Sequence, residues 1–323
     1  MTTHAPGAGL RGTTAVAAAM MVMNVAVYGF SVASARLLVP AELGAVTALL
    51  GILLIGNVLS LGLQATTARR LAIDPDRKDE IIGVVQRVTL LAGVAAGLVV
   101  ALASVLLTDA LKLGSPVPVV LCGLTLVPLT VMGAQAGIAQ GTERWHALAA
   151  IYVANGLGRL VAGTAALLVD PSITSAMVGV AVGACVPVLV GLPVLRGHTP
   201  PATPASRRPL ITEAVHGTHA LLAYFVLSTL DSLIARNQLG THESGLYAAG
   251  LILTKAAMFL PQFVSVVLFP ALARDTTSRS RARAVLLVAG CCAGAVAATA
   301  LLPHLALELV GGTQYEEVAG RLW

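Results

Sequence analysis

At 323 residues, 57% hydrophobic and only 11% charged, with a mean hydropathy of +0.87, the chain cannot be a soluble globular protein. Soluble domains carry about 25% charged residues, and a chain this apolar could not cover its own surface in water. The net charge of +5 fits the basic loops of a membrane protein better than a nucleic-acid surface, so no nucleic-acid partner is expected.

Nine apolar runs are long enough to cross a bilayer, which takes about 20 residues. The first, 14–37, carries Asn24, Tyr28 and Ser31 at helical spacing and ends at Arg36. It is too long for a signal-peptide core of about 7–15 residues. The second, 43–68, follows the break Val39-Pro40-Ala41-Glu42 and carries Asn57, Ser60, Gln64 and Thr67 on one stripe. The third, 81–107, contains Arg87, and the fourth is 115–140. The fifth, 146–169, has Tyr152, Asn155 and Arg159 on one face, and the sixth is 173–195. The proline-rich stretch 197–212 then reads as a linker, dividing a six-helix lobe (1–196) from a second lobe (213–323). The seventh run, 213–238, holds Asp231 and Arg236. The eighth, 244–273, has Lys255, Met258, Gln262 and Ser265 on one stripe, and the ninth is 283–308. Beyond it, Gly311-Gly312 and the run from Tyr315 resemble the start of a tenth helix, so the second lobe is expected to be incomplete. Prolines 128, 187, 261 and 270 inside the runs predict kinks. The fold class is therefore all-α, a polytopic transmembrane bundle.

Orientation follows from the basic residues. With the N-terminus inside, the cytoplasmic segments hold thirteen of them, at 11, 69, 70, 77, 78, 144, 196, 207, 208, 274, 279, 281 and 283. The outside turns hold two, Arg36 and Lys112. The two lobes also look related. Arg36 precedes Glu42-x-Gly44 and Arg236 precedes Glu243-x-Gly245, and each pair opens a long apolar run that ends in Ala-Arg. Such a parallel repeat is common in transporters that hold cargo between lobes.

Ionisable residues at membrane depth cost about 2.5–3.5 kcal/mol each and usually face a cavity or a partner. Here they are Arg87, Arg159, Asp231, Arg236 and Lys255, with Arg36 at a helix end. The polar stripes fit either a hydrated cavity or helix-to-helix contacts, and for Asn24, Asn57 and Gln64 the two readings stand level. For Arg159 and Lys255 the cavity is favoured, because an unpaired cation is hard to bury between helices. Asp231 and Lys255 could equally form an ion pair. The candidate cavity set is thus Arg159, Lys255, Asp231, Arg236, Asn155, Gln64, Asn24 and Arg36, and its basic excess suits phosphate or pyrophosphate.

Enzyme signatures are missing. There is no Gly-Lys-Ser/Thr phosphate loop and no His-Glu-x-x-His. Asp74-Pro-Asp76 reads as a solvated turn, and His216 and His219 as interfacial. The four cysteines, 122, 185, 291 and 292, lie in apolar runs as small hydrophobes. No catalytic residue, metal or cofactor is expected.

Several motifs, in order, resemble the polysaccharide-biosynthesis flippases of the multidrug/oligosaccharidyl-lipid/polysaccharide (MOP) exporter superfamily. They are Arg36-Leu-Leu-x-Pro-x-Glu-x-Gly44, Gln140-Gly-x-x-Arg-Trp-His146 and Asp231-Ser-Leu-Ile-Ala-Arg236. Two more are Gly245-Leu-Tyr-Ala-Ala-Gly250 with Lys255 five residues on, and Val267-Leu-Phe-Pro-Ala-Leu-Ala-Arg274. The resemblance implies a V-shaped pair of six-helix bundles in the inner membrane. It implies flipping of an undecaprenyl-pyrophosphate-linked oligosaccharide, with the lipid tail left in the bilayer near the first and eighth helices. The implied partners are membrane lipid, polysaccharide polymerase and glycosyltransferases. A drug or metabolite antiporter of the same superfamily is the alternative. A membrane glycosyltransferase ranks lower, because the outside turns are short and poor in acids. A non-transporting fragment or scaffold is the remaining alternative. Because relatives carry twelve to fourteen helices, a nine-helix chain is expected not to flip substrate alone.

Overall fold

The computed structural model describes residues 6–196 and 208–254, together with 286, 289, 290, 293 and 294. Regular structure among the described residues is entirely helical: α1 (Pro6–Leu37), α2 (Pro40–Gly56), α3 (Val58–Ile73), α4 (Lys78–Leu102), α5 (Ser104–Ala110), α6 (Val117–Gly141), α7 (Trp145–Val169), α8 (Ile173–Gly191) and α9 (Arg208–Gln238), with a further helical stretch over 241–254.

Seven spans are long and apolar enough to cross a membrane, and they match the first seven runs of the sequence: Gly12–Leu37, Pro40–Ile73, Pro75–Leu102, Val117–Gly141, Trp145–Val169, Ile173–Leu195 and Thr218–Gln238. The expected eighth run is helical as far as 254 and otherwise lies outside the described residues. The ninth is described only at five helical positions. Residues 208–212, read from the sequence as linker, already belong to α9. Pro209 sits in its first turn, where a missing N–H costs nothing.

The spans break where backbone chemistry asks for it. Val39 is extended (φ −68°, ψ 154°), and Pro40 opens α2 at a position that needs no donor. Asn57 interrupts the second span, dividing it into α2 and α3. Ala103 separates α4 from the short α5. Pro128 and Pro187 lie inside α6 and α8, which continue across them.

Helix α6 is the hub of the first lobe, packing on α3, α4 and α8, while α7 joins α8 to α1. In lipid, apolar side chains gain little from meeting one another, so close approach of small residues has to supply the attraction. Several crossings show it. Gly133, Gly137 and Gly141 of α6 lie against Ser60, Gln64 and Ala68 of α3, a parallel contact with a constant offset. A Cβ on Gly137 would sit 2.6 Å from the Gln64 carbonyl oxygen. A Cβ on Gly158 would likewise sit 2.5 Å from the Gly183 carbonyl oxygen where α7 and α8 cross, and Gly97 meets Gly123 across α4 and α6. Parallel α1 and α7 touch at Gly12–Trp145, Met23–Gly156 and Phe30–Gly163. Two apolar clusters fill the spaces between. One, with Phe30, Leu49 and Leu126, lies toward the far face of the bundle. The other, with Leu63, Val85 and Ile151, lies toward the face holding the chain's N-terminus.

The second lobe meets the first along α2 and α3, which pack on α9. Gly51 faces Thr229 and Ser232, and Gly44 faces Ser244 and Gly245.

Candidate functional site

The interior of the first lobe holds one polar ladder. Tyr152, Asn155 and Arg159 stand on one side of α7, about 10 Å from end to end at 1.5 Å per residue. Arg159 is the only charged residue in α6, α7 and α8. Its backbone is pressed to α8 at Gly183, and its guanidinium lies within electrostatic range of Cys122 on α6. Cys122 in turn donates to the Leu49 carbonyl of α2 at 3.7 Å. The cation therefore reaches inward, toward the place where α2 and α6 meet. It is partly buried and has no hydrogen-bond or ion-pair partner among the described residues.

Below Arg159 the ladder is neutral. The Asn155 amide donates weakly to the Met23 sulfur of α1 at 3.5 Å. Asn24 stands next to Met23, partly buried and without a hydrogen bond among the described residues. Gln64, on α3, donates to the Tyr152 hydroxyl at 2.7 Å and to Gln140 Oε1 at 3.2 Å. The link to Gln140 has no sequence periodicity behind it, because it joins three separate helices, α3, α6 and α7. At Asn57 the side-chain oxygen is buried with no partner.

The remaining predicted residues lie elsewhere. Arg36 is exposed at the end of α1, and Arg87 is exposed on α4. Asp231 accepts from the Tyr247 hydroxyl at 3.3 Å and from the Ser232 amide at 2.7 Å. Lys255 lies outside the described residues, and with it the question of an Asp231–Lys255 pair. Arg236 is 2% exposed and its donors are already engaged at the far face. Nε donates to the Leu111 carbonyl at 2.8 Å and Nη2 to that of Lys112 at 3.3 Å. Nη1 donates to the carbonyls of Ala41 and Thr241 at 2.9 and 3.3 Å and to Ser244 Oγ at 2.9 Å. A left-handed Lys112 (φ 50°) turns the chain under this guanidinium. Two more bonds reinforce the junction: Asn237 Nδ2 to the Ala110 carbonyl at 2.9 Å, and Lys112 Nζ to that of Leu239 at 2.8 Å.

The Gln140-to-His146 motif ties helix ends together on the opposite face. Gln140 holds Gln64, and the Trp145 ring covers Gly12 of α1. Arg144 donates to the carbonyls of Pro193 and Val194, which lie just past α8, at 3.2–3.3 Å. No group of three or more His, Cys, Asp or Glu residues that could hold a metal occurs among the described residues.

Comparison with known proteins agrees with this architecture. The profile of the polysaccharide biosynthesis protein family matches residues 10–275. Among curated proteins no sequence matches the chain. Two solved structures share the fold. One is an inward-facing multidrug resistance MATE family transporter of the MOP superfamily, with a TM-score of 0.67 and 14% identity over 94% of this chain and 75% of that one. The other is a MOP superfamily transporter from Pyrococcus furiosus, described as having a binding pocket of reverse polarity that suggests a different function. Its TM-score is 0.53 at 12% identity, over 97% of this chain and 85% of that one.

Proposed function

The chain belongs to the polysaccharide biosynthesis protein family and has the multi-pass helical fold of MOP-superfamily transporters, and from that premise we propose that it flips a lipid-linked oligosaccharide across the inner membrane. The cargo class is an undecaprenyl-pyrophosphate-linked sugar, moved from the cytoplasmic to the outer leaflet by alternating access. Glycosyltransferases would build the cargo and a polymerase would consume it.

The observation that carries the reading is Arg159, a lone cation inside an apolar lobe with no hydrogen-bond or ion-pair acceptor among the described residues. An isolated charge at membrane depth is costly unless something pairs with it. A guanidinium offers planar, bidentate donors that match phosphate oxygens. Asn155 and Asn24, about one helical turn toward the N-terminal face, supply neutral donors and acceptors suited to sugar hydroxyls. Lys255 would add a second cation from the other lobe. An antiporter of cationic drugs would be served by an acid at this depth, and α6, α7 and α8 contain none.

Reconstitution in liposomes with a fluorescent lipid-linked sugar tests the assignment. Arg159→Ala should insert normally and lose roughly 10- to 100-fold in transport, the range expected for one charge-assisted hydrogen-bonding group. Arg159→Lys should retain part of the rate. Wild-type transport by the alanine variant would remove Arg159 from the cargo path.

A further inference from the structure

We propose that Arg236 is the latch of a gate that closes the far face between the two lobes. Five side-chain hydrogen bonds cross from lobe to lobe there. Arg236 makes three of them, to Leu111, Lys112 and Ala41, and Asn237 and Lys112 make the others. The backbones are also in contact, since Gly44 packs on Ser244 and Gly245, and Gly245 on the Pro40 carbonyl. Any motion that opens a path between the lobes at this face must break these bonds together.

The choice of partners makes the junction reversible. Four of the five acceptors of Arg236 are main-chain carbonyls and the fifth is the Ser244 hydroxyl, so among the described residues no carboxylate neutralises the cation. A buried charge without a counter-ion loses its hydration, and the hydrogen bonds offset that loss. When the face opens, water returns to the guanidinium and to the carbonyls, so the open state recovers what the bonds had supplied.

The strap that receives the latch is built to separate from α9. Ala103 interrupts the helix before it, and α5 is only Ser104–Ala110. Helix α5 packs on α4 and α6 of the first lobe, while Leu111 and Leu113 at its far end lie in an apolar cluster shared with Leu246, Ala248, Ala249 and Ile252 of the second lobe. On opening, the strap stays with the first lobe and Arg236 leaves with α9. The inference rests on the transporter reading only in requiring lobes that move.

The test needs no cargo, so its failure leaves the cargo assignment untouched. Spin labels are placed at Asp109→Cys and Gln238→Cys in a full-length chain whose native cysteines are changed to alanine, and the inter-label distance distribution is read in liposomes. The starting protein should show a dominant short distance. In Arg236→Ala the ratio of long to short populations should rise about tenfold or more, with Arg236→Lys in between. Arg77→Ala, on the opposite face, should leave the distribution alone. If Arg236→Ala does not assemble, Asn237→Ala, which removes only the donor to Ala110, should raise the long population by a smaller factor. An unchanged distribution in the assembled Arg236→Ala protein, or in Asn237→Ala where that is the protein read, overturns the latch.

Discussion

Asp170 illustrates how much a single exposed carboxylate can organise. It lies in the turn between α7 and α8, outside the spans, and accepts from the hydroxyls of Ser172 and Ser175 at 2.7 Å each. Ser172 is also the N-cap of α8, accepting from the Ser175 amide. The two hydroxyls favour the charged form and hold the Asp170 carboxyl below the usual aspartate range. A carboxylate whose folded pKa is depressed stabilises the fold above its unfolded pKa, about 3.9, and loses that contribution as pH falls through the lower folded value. The difference in melting temperature between wild type and Asp170→Asn should therefore be constant near neutrality and shrink below about pH 4; a difference that widened on acidification would reverse the assignment. At the same scale, Arg36 and Arg236 show what the sequence could and could not convey. Their spacing to Glu-x-Gly differs by one residue, about 100° around a helix. Aligned on the two Glu-x-Gly motifs, Arg236 falls at the position of buried Ala35, and Arg36 at that of exposed Asn237. The depth of Arg236 was legible, since charge in an apolar run is conspicuous. Its carbonyl acceptors were not, because every residue carries one and sequence does not distinguish them.

At the scale of elements, small residues decide which helices touch. The Gly133, Gly137 and Gly141 row lets α3 approach α6 closely enough for Ser60 to donate to the Leu129 carbonyl at 2.8 Å. Gly137→Leu should force the pair apart and cost about 1–3 kcal/mol. The cost should appear as a lowered melting temperature in detergent, with Leu124→Ala, at an exposed position of the same helix, as the control. An unchanged melting temperature in Gly137→Leu would mean the crossing is looser than its geometry. The spans themselves were legible because about 20 apolar residues have few other uses. Their interruptions were less so. Gly56-Asn57 and Ala103-Ser104 sit within continuous apolar stretches, where hydropathy stays high and only the hydrogen-bond ladder reveals the break. The Gln140-to-His146 motif was visible as a string. What it does, holding α1, α3 and the end of α8 together, depends on three partners scattered along the chain.

For the whole molecule, the two stretches singled out as a repeat face each other across the junction between lobes, Gly44 against Gly245. The thirteen-to-two distribution of basic residues predicts that the face holding the N-terminus is cytoplasmic. In right-side-out vesicles a cysteine at Pro204→Cys should resist a membrane-impermeant maleimide and react once the vesicles are opened; labelling of sealed vesicles would invert the orientation. The far-face junction carries a further implication, for how the protein tolerates sequence change. Substituting Ala41 or Thr241 alters a side chain but leaves the carbonyl that Arg236 uses. These two positions can therefore drift in sequence with little effect on the joint, provided their backbone path is kept. The donating side has no such freedom, since no other residue supplies five N–H groups in one plane. Robustness is thus lopsided: a scan of single substitutions across this face would find Ala41 and Thr241 tolerant, the side-chain donors Asn237 and Lys112 less so, and Arg236 the most sensitive.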